Sequence, residues 1–285
     1  MNSLEHSRQI SRVFSRPVLE RIARSGEASD VARELMSLGV TCKRDGAAVG
    51  DLFEASLAVM ESSYRCEYVY KAAIANRIVF GRHSPRTSSL AIELAVGNSI
   101  VDAAVFNGTS TAYEIKTEFD SHRRLTTQTQ DYLRAFDRVY VVTHPVLAER
   151  YESLVDPRIG ILCLTGKGSL TELRPAIGDP LRVEPAAVFR MLRRQEFMDI
   201  VHAHFGPQPT LPNGLLHEHY RELFEMLSGD EAHEGLVGAM RARTTDGESV
   251  SFIQALPKSL RALAYATPLS RPQRRRVLDA LASHA

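Results

Sequence analysis

The sequence contains no tryptophan, only three cysteines and no long run of apolar residues. A membrane-spanning helix needs about 20 consecutive apolar residues, so we expect no part of the chain to lie in a membrane. The odd number and wide separation of the cysteines favour free thiols in a reducing compartment over a disulfide framework. The amino-terminal segment, residues 1–16, lacks the apolar centre of a secretory signal. We therefore expect a cytoplasmic protein that begins with a short mobile tail.

An excess of charge of either sign is also absent. The chain has 35 lysines and arginines against 34 aspartates and glutamates, a formal net charge of +1. A balance this even gives no general attraction to polyanions, so a nucleic-acid site would have to come from a local arrangement of cations. The 285 residues, of which 44% are hydrophobic, are enough for one large domain or two smaller ones with a real core.

The pattern of apolar residues divides the chain into three regions. Residues 1–62 and residues 179–285 have the spacing of short helices, and residues 63–178 combine helices with strands. We therefore predict an α/β fold in which a central core, residues 63–178, lies between an amino-terminal and a carboxyl-terminal helical region.

The central region has a recognisable order of elements. It begins with a helix over residues 66–79 and continues with three segments in which polar and apolar residues alternate, as they do in half-buried strands. A polar helix and then apolar strands follow, so the core begins in the order αβββαβ. The predicted strands read LAIELAV, IVDAAVF, AYEIKTEF, RVYVVTHP and IGILCLT.

Three charged residues lie in the second and third predicted strands, where such residues are disfavoured. Asp102 is in the second strand, and Glu114 and Lys116 share one face of the third because they are two residues apart. The turn NGTST is short, so the two strands are expected to be antiparallel neighbours that bring Asp102 close to Glu114. Two neighbouring carboxylates repel unless a cation lies between them, and Mg²⁺ prefers oxygen ligands. With a lysine that can hold a water or stabilise a phosphoryl oxygen, this set suits phosphodiester hydrolysis.

These residues resemble a known signature. Asp102 followed by Glu114-Ile115-Lys116, on the second and third strands of an αβββαβ core, resembles the PD-(D/E)XK nuclease superfamily, whose core is restriction-endonuclease-like. Val101 stands where the proline that gives the signature its name would be. The run from RCEYVYKAAI to VYVVTHP is also similar to a bacterial family of uncharacterised nuclease-like proteins. The resemblance covers residues 63–178 and implies a Mg²⁺-dependent deoxyribonuclease.

The resemblance implies a role for each residue of the signature. Asp102 and Glu114 would bind Mg²⁺ or Mn²⁺ together with the backbone carbonyl of Ile115, and Lys116 would position the attacking water. Many members of the superfamily carry a glutamate that faces the metal from the helix before the first strand, and Glu67 matches it by position. Glu93, on the first strand, is the alternative ligand.

Further residues are expected beside a bound nucleic acid, most simply DNA. Gln128 and Tyr132 match a Gln-x-x-x-Tyr pattern of the superfamily, and residues four apart share a helix face, so both can point back at the site. Two pairs of arginines are candidates for phosphate contacts, one in the loop before the first strand and one beside the site. For the pair beside the site, a solvated helix face is an equally good explanation. They are Arg82 and Arg86, and Arg123 and Arg124.

Two other interpretations stay open from the sequence. In the first, Asp102 ends a strand and Glu114 and Lys116 form a surface ladder pair without chemistry. In the second, a nuclease-like core without catalytic activity is a binding or regulatory module, and its helical flanks hold a protein or nucleic-acid partner. The near-neutral charge and the length of the helical flanks favour the second interpretation.

Overall fold

The computed structural model describes residues 3–42 and 46–285. It shows a six-stranded mixed sheet, whose strands follow one another in chain order from edge to edge, with helices packed against it. The α/β class predicted from the sequence is confirmed. Within the described residues, no helix is both long enough and apolar enough to cross a membrane.

The sheet joins an antiparallel meander to a parallel half. The strands are β1 (Ser89–Val96), β2 (Ser99–Phe106), β3 (Ser110–Lys116), β4 (Arg138–Thr143), β5 (Gly160–Leu164) and β6 (Leu170–Arg174). β1, β2 and β3 are antiparallel neighbours, β4 and β5 continue parallel to β3, and β6 returns antiparallel to β5. In the two turns of the meander, Gly97 and Gly108 have positive φ angles of 59° and 105°, which glycine adopts without strain.

The helices before the sheet extend closer to the amino terminus than the sequence predicts. They are α1 (Ser3–Ser11), α2 (Arg16–Ser25), α3 (Ser29–Ser37), α4 (Val49–Ser63) and α5 (Glu67–Ala73), which continues as a π-helix over Ile74–Arg82. The prediction of a mobile tail is wrong from the third residue onward, because Ile10 and Phe14 are buried and the ring of Phe14 stacks on that of Tyr68. Residues 1 and 2 lie outside the described residues.

The remaining helices connect the parallel strands or follow the sheet. α6 (Leu125–Leu133) lies between β3 and β4, and α7 (Ala148–Leu154) lies between β4 and β5. The helices after β6 are α8 (Pro185–Phe189), α9 (Arg194–Phe205), α10 (Asn213–Glu225), α11 (Gly229–Ala242), α12 (Gly247–Ala255), α13 (Arg261–Ala266) and α14 (Arg271–Ala282). The predicted helical character of the carboxyl-terminal region is therefore present in the structure.

Two hydrophobic cores lie on the two faces of the sheet. Side chains of β2 alternate between them, with Ala103 and Val105 in the first core and Ala104 and Phe106 in the second. Helices α1–α5 and α12–α14 contribute to the first core, so helices from both ends of the chain cover one face. Helices α6–α11 contribute to the second core. The division of the chain after residues 62 and 178 stays a prediction.

Candidate functional site

The register of β2 against β3 brings the two predicted carboxylates together. Ala103 pairs with Tyr113, so Asp102 and Glu114 come next along the two strands. The regular ladder ends at this point, and Asp102 Oδ2 accepts a hydrogen bond from the N–H of Ile115 at 2.6 Å. A side-chain carboxylate therefore replaces a main-chain acceptor, which fixes Asp102 beside Glu114.

Glu114 is buried, with 1% of its surface exposed, and both of its carboxylate oxygens have partners. Lys116 Nζ lies 2.6 Å from Oε1, and the Tyr132 hydroxyl lies 2.8 Å from Oε2. Lys116 also donates a hydrogen bond to Gln128 Oε1 at 3.3 Å. Burial raises the pKa of Glu114, and the Lys116 ammonium and the Tyr132 hydroxyl offset part of that rise. Gln128 and Tyr132 thus both face this position from α6, as their four-residue spacing predicts.

Asp102 has a different electrostatic environment. Burial, followed by the negative charges of Glu114 and Glu67, raises its pKa to about 8, whereas the Ile115 N–H and the Lys71 ammonium act in the opposite direction. A carboxyl group with this pKa is mostly protonated at neutral pH. The two central carboxyl groups therefore differ: Glu114 is paired with a lysine, and Asp102 is largely neutral.

A second lysine, which the sequence does not single out, joins the two alternative acidic ligands. Lys71 is buried, and its Nζ lies 2.5 Å from Glu67 Oε1 and 3.0 Å from Glu93 Oε1. Arg16 Nη2 lies 3.1 Å from the other oxygen of Glu93. Burial lowers the pKa of Lys71, but the two carboxylates outweigh burial and raise it overall. The sequence signal for this contact is the four-residue spacing of Glu67 and Lys71 on one helix face.

Glu93 interrupts β1 directly opposite Asp102. Its neighbours Ile92 and Leu94 pair with β2, but Glu93 does not, and its φ angle is 54°. This left-handed backbone is unfavourable for a residue with a Cβ atom, so the surrounding contacts must hold it. The regular pairing of the sheet is thus interrupted on both sides of Asp102.

The predicted metal site has no complete set of ligands in this arrangement. Among residues 3–42 and 46–285, no three Asp, Glu, His or Cys side chains are grouped so that they could hold a metal ion. Glu114 has both oxygens engaged by Lys116 and Tyr132, and Ile115 contributes its N–H group to Asp102. Binding of Mg²⁺ or Mn²⁺ stays a prediction, and calorimetric titration of the wild type and Asp102→Asn with MnCl₂ is its test.

Exposed cations lie at the carboxyl ends of the parallel strands, which form one end of the sheet. Arg123 and Arg124 lie in the turn between β3 and α6, and Arg150 Nη2 lies 2.7 Å from His122 Nδ1 of the same turn. Lys167 is exposed in the loop after β5. This loop is at the same edge because β3, β4 and β5 are parallel.

An exposed aromatic ring accompanies these cations. Phe119 follows β3 with 51% of its surface exposed, and its ring centroid lies 5.3 Å from that of Tyr64. The Arg8 guanidinium lies over the Tyr64 ring, 5.8 Å from its centroid. We call the following five residues the carboxyl-edge surface: Phe119, Arg123, Arg124, Arg150 and Lys167.

The other predicted nucleic-acid contacts are not part of this surface. Arg82 and Arg86 flank His83, which contacts Asn107 in the turn between β2 and β3. That turn is at the amino end of β3, whereas the carboxyl-edge surface follows its other end. Tyr132 is fully buried. The structure therefore places one of the two predicted arginine pairs after the carboxyl end of β3 and the other pair near its amino end.

Comparisons with known proteins lead to a different family from the one that the signature suggests. The family model of bacteriophage P4 protein cII matches residues 60–256. A curated relative, protein cII of Enterobacteria phage P4, is 28% identical over 109 residues, which are 38% of this chain and 36% of that protein. The similarity thus spans little more than a third of the relative's length. No solved structure matches the chain significantly.

These findings correct the assignment made from the signature. Membership of the PD-(D/E)XK nuclease superfamily is wrong, since the family model and the curated relative both lead to phage P4 cII proteins. The nuclease function and the description as a hydrolase are wrong for the same reason. An Asp on one strand and Glu-x-Lys on the next are too few residues to define that superfamily, because a polar network that stabilises a fold uses the same residue types. Enzymatic activity of any kind stays a prediction.

Proposed function

The chain belongs to the bacteriophage P4 protein cII family, and from that premise we propose that it is a regulatory module that binds DNA at its carboxyl-edge surface. The observation that carries the proposal is the convergence of four exposed cations and one exposed aromatic ring at a single edge of the sheet. Binding, without any chemical change to the DNA, is the whole of the proposed role.

The carboxyl-edge surface has a local excess of positive charge that the overall composition hides. Arg123 and Arg124 lie in the same segment as two exposed carboxylates, those of Glu118 and Asp120, and Glu118 lies 3.6 Å from His144. Arg150 lies in α7 beside the exposed Glu149, so the four cations face three nearby carboxylates. Contacts of arginine and lysine with phosphate supply most of the sequence-independent affinity for DNA. Phe119 adds an exposed ring on which an unpaired base can stack. Charge and shape at this edge therefore suit a nucleic-acid backbone.

The buried network supports this surface from below. Lys116 is the last residue of β3, and its ammonium group, between Glu114 and Gln128, ties the end of the strand to α6. Thr143 Oγ1 of β4 donates a hydrogen bond to the Lys116 carbonyl at 2.7 Å. The segment 117–124, which holds the aromatic ring and the two arginines, begins at this fixed point. In the proposal, Glu114 and Lys116 position the surface and do not contact the DNA.

We further propose that the core has a restriction-endonuclease-like layout, as an arrangement of elements only. The support is the order of α5, the β1–β3 meander, α6, and β4 parallel to β3, which follows the αβββαβ pattern. The same layout can hold many functions, so it carries no activity with it.

Two further expectations from the sequence enter as proposals. We propose that the protein works in the cytoplasm, where DNA is available to it. We also propose that the helices after β6 hold a protein partner, since a regulatory module needs a second contact through which binding has an effect.

Fluorescence anisotropy with a short labelled DNA duplex tests the binding proposal. The double substitution Arg123→Glu and Arg124→Glu is expected to weaken binding by about tenfold or more and to reduce the salt dependence of log K by about 2, because each lost phosphate contact releases one counterion fewer. Parallel titrations with single-stranded DNA and RNA identify the preferred nucleic acid.

The matched control reverses the charge of the two arginines near the amino end of β3. Arg82→Glu with Arg86→Glu changes the net charge by the same amount, and we expect its affinity to stay within about twofold of the wild type. No binding by the wild type at low salt would overturn the proposal. Equal losses in the two double variants would also overturn it, since that result would mean attraction by net charge alone.

A further inference from the structure

A cleft of about 400 Å³ lies beside β1, the strand at one edge of the sheet. One wall is β1 itself, from Ser89 to Ala95. The opposite wall comes from the carboxyl-terminal helices α11–α14 and their connections, together with Arg193, which directly precedes α9. None of the lining residues belongs to the carboxyl-edge surface. The volume is within the range of sites for small molecules, roughly 300–1,000 Å³.

Two hydroxyl groups of the cleft lining are buried without a hydrogen-bond partner. Within the described residues, neither Tyr265 Oη nor Thr244 Oγ1 has a donor or acceptor in reach. Buried hydroxyls nearly always have a partner, because an unmade hydrogen bond leaves the loss of hydration uncompensated. Each of these hydroxyls can donate to an acceptor, but both oxygens are shielded from solvent, so a ligand in the cleft reaches them only when the two side chains turn toward it.

The charged groups of the cleft also favour a ligand that carries hydrogen-bond acceptors. Arg193 and Arg274 line it, and in the part of the chain that the structure describes neither is within 4.0 Å of a carboxylate. Arg243 is held by both oxygens of Glu196. Glu93, the acidic residue of the lining, is already bound to Lys71 and Arg16. The two charges without a carboxylate partner are therefore guanidinium groups, which bind carboxylate and phosphate well. Arg274 Nε donates a hydrogen bond to the Leu269 carbonyl at 3.0 Å.

The rest of the lining is apolar and would contact a hydrocarbon or an aromatic ring. It includes Leu90, Ile92, Phe252, Ile253 and Leu269. A wholly polar ion would leave these walls without contacts, whereas a molecule with an anionic group and an apolar body would match both parts. From this combination we propose that the cleft is a binding site for a small organic anion, with its carboxylate or phosphate toward Arg193 and Arg274 and its acceptors toward Tyr265 and Thr244.

Calorimetry with two probes tests the site and distinguishes the sources of the anion. Octanoate offers a carboxylate on an aliphatic chain, and deoxyguanosine monophosphate offers a phosphate on an aromatic body; inorganic phosphate is the comparison without an apolar body. We expect one of the two organic probes to bind the wild type and inorganic phosphate to bind about tenfold more weakly or not at all.

The decisive variant is Tyr265→Phe, which removes one hydroxyl and keeps the ring. Since this hydroxyl has no partner in the protein, the variant is expected to keep the melting temperature of the wild type or exceed it, while its affinity for the probe falls about five- to tenfold. Thr244→Val makes the same comparison for the second hydroxyl. Arg193→Gln is expected to lower the affinity for the organic probe further. With inorganic phosphate, this variant should give no measurable heat of binding.

The matched control is Tyr70→Phe. Tyr70 is fully buried, and its hydroxyl, like that of Tyr265, has no partner among the described residues, but it does not line the cleft. Its variant should bind the probe as the wild type does. The proposal is overturned if neither organic probe binds, or if Tyr70→Phe and Tyr265→Phe lose affinity equally.

Discussion

Two regions of the molecule keep polar side chains away from water, and they differ in whether those side chains have partners. Around Glu114, a lysine and a tyrosine engage both carboxylate oxygens. In the cleft beside β1, the hydroxyls of Tyr265 and Thr244 have no partner within the described residues. A network whose members satisfy one another is accounted for by the fold, whereas an unsatisfied group calls for another molecule. The comparison therefore moves the search for a ligand from the charged strands to the cleft.

The same comparison explains why charged residues in a strand can imitate a catalytic set. A buried carboxylate needs a cation and hydrogen-bond donors at short distance, and so does a carboxylate that binds a metal or a substrate. Lys116 is two residues from Glu114 on the same face, which meets that need within β3. Spacing alone does not distinguish the two roles; the positions of the partners do.

The largest expected effect comes from breaking the pair in the first region. Lys116→Met leaves Glu114 buried without its cation, and we expect the free energy of unfolding to fall by about 3–5 kcal/mol. Urea denaturation measures this loss. Adding Glu114→Gln to the same chain removes the unpaired charge, so the double variant should recover part of the loss.

Lys167→Met is the control for that experiment, since Lys167 is exposed after β5 and lies in no ion pair of the described residues. It should change the free energy of unfolding by less than about 0.5 kcal/mol. If Lys116→Met were as mild as this control, Glu114 would not depend on its lysine and the first region would not be a stabilising network.

One chemical change made in both regions sharpens the comparison. Tyr132→Phe removes a hydroxyl that lies 2.8 Å from buried Glu114 and 2.7 Å from the Ile100 carbonyl. We expect a loss of about 2 kcal/mol because hydrogen bonds to charged groups are strong. Tyr265→Phe removes a hydroxyl without a partner and should cost almost nothing. Denaturant unfolding of the two variants is the measurement. Equal losses would show that the two regions do not differ as described.

The charge state of Asp102 predicts how stability changes with pH. Burial and neighbouring carboxylates raise its pKa in the folded state from 3.8 to about 8, so the folded state binds this proton more tightly than the unfolded state does. The resulting stabilisation is complete below the unfolded pKa and is lost as the pH rises toward the folded pKa. We expect the wild type to lose about 2 kcal/mol relative to Asp102→Asn between about pH 6.5 and pH 8.5.

Urea denaturation of both proteins across that range isolates the contribution of Asp102, because the other titrating groups are common to both. A difference between wild type and Asp102→Asn that does not change with pH would show that Asp102 is ionised in the folded state throughout. Asp102 would then resemble Glu114 in carrying its charge, and the contrast between the two carboxyl groups would disappear.

Much of the core could be predicted from the sequence, because the period of the apolar residues fixes both the type of element and the face of each side chain. The two-residue period placed Glu114 and Lys116 on one face of β3, and the four-residue spacing placed Gln128 and Tyr132 toward them. The α/β class follows from the same periodicity. These features depend on neighbours in the chain, which a single sequence shows directly.

Features that depend on distant parts of the chain could not be predicted. The sequence from Arg82 to Arg86 does not indicate at which end of β3 it lies, because that depends on the length and register of β1 against β2. The contact of Arg16 with Glu93 joins residues 77 positions apart. Ile10 stands among polar residues, so its burial follows only from the packing of α1 against α4.

The smallest predicted effect concerns Glu93, where the network meets the cleft. Glu93→Gly and Glu93→Ala lose the same ion pairs, but only glycine adopts a φ angle of 54° without strain, so the glycine variant should be more stable by about 1 kcal/mol. At the control position Ala95, which pairs regularly with Ile100, Ala95→Gly should instead destabilise by roughly 0.5–1 kcal/mol. Denaturant unfolding measures the sign of the change in the free energy of unfolding at both positions. A more stable alanine variant at Glu93 would mean that the backbone there is extended in solution, and β1 would then pair with β2 without interruption opposite Asp102.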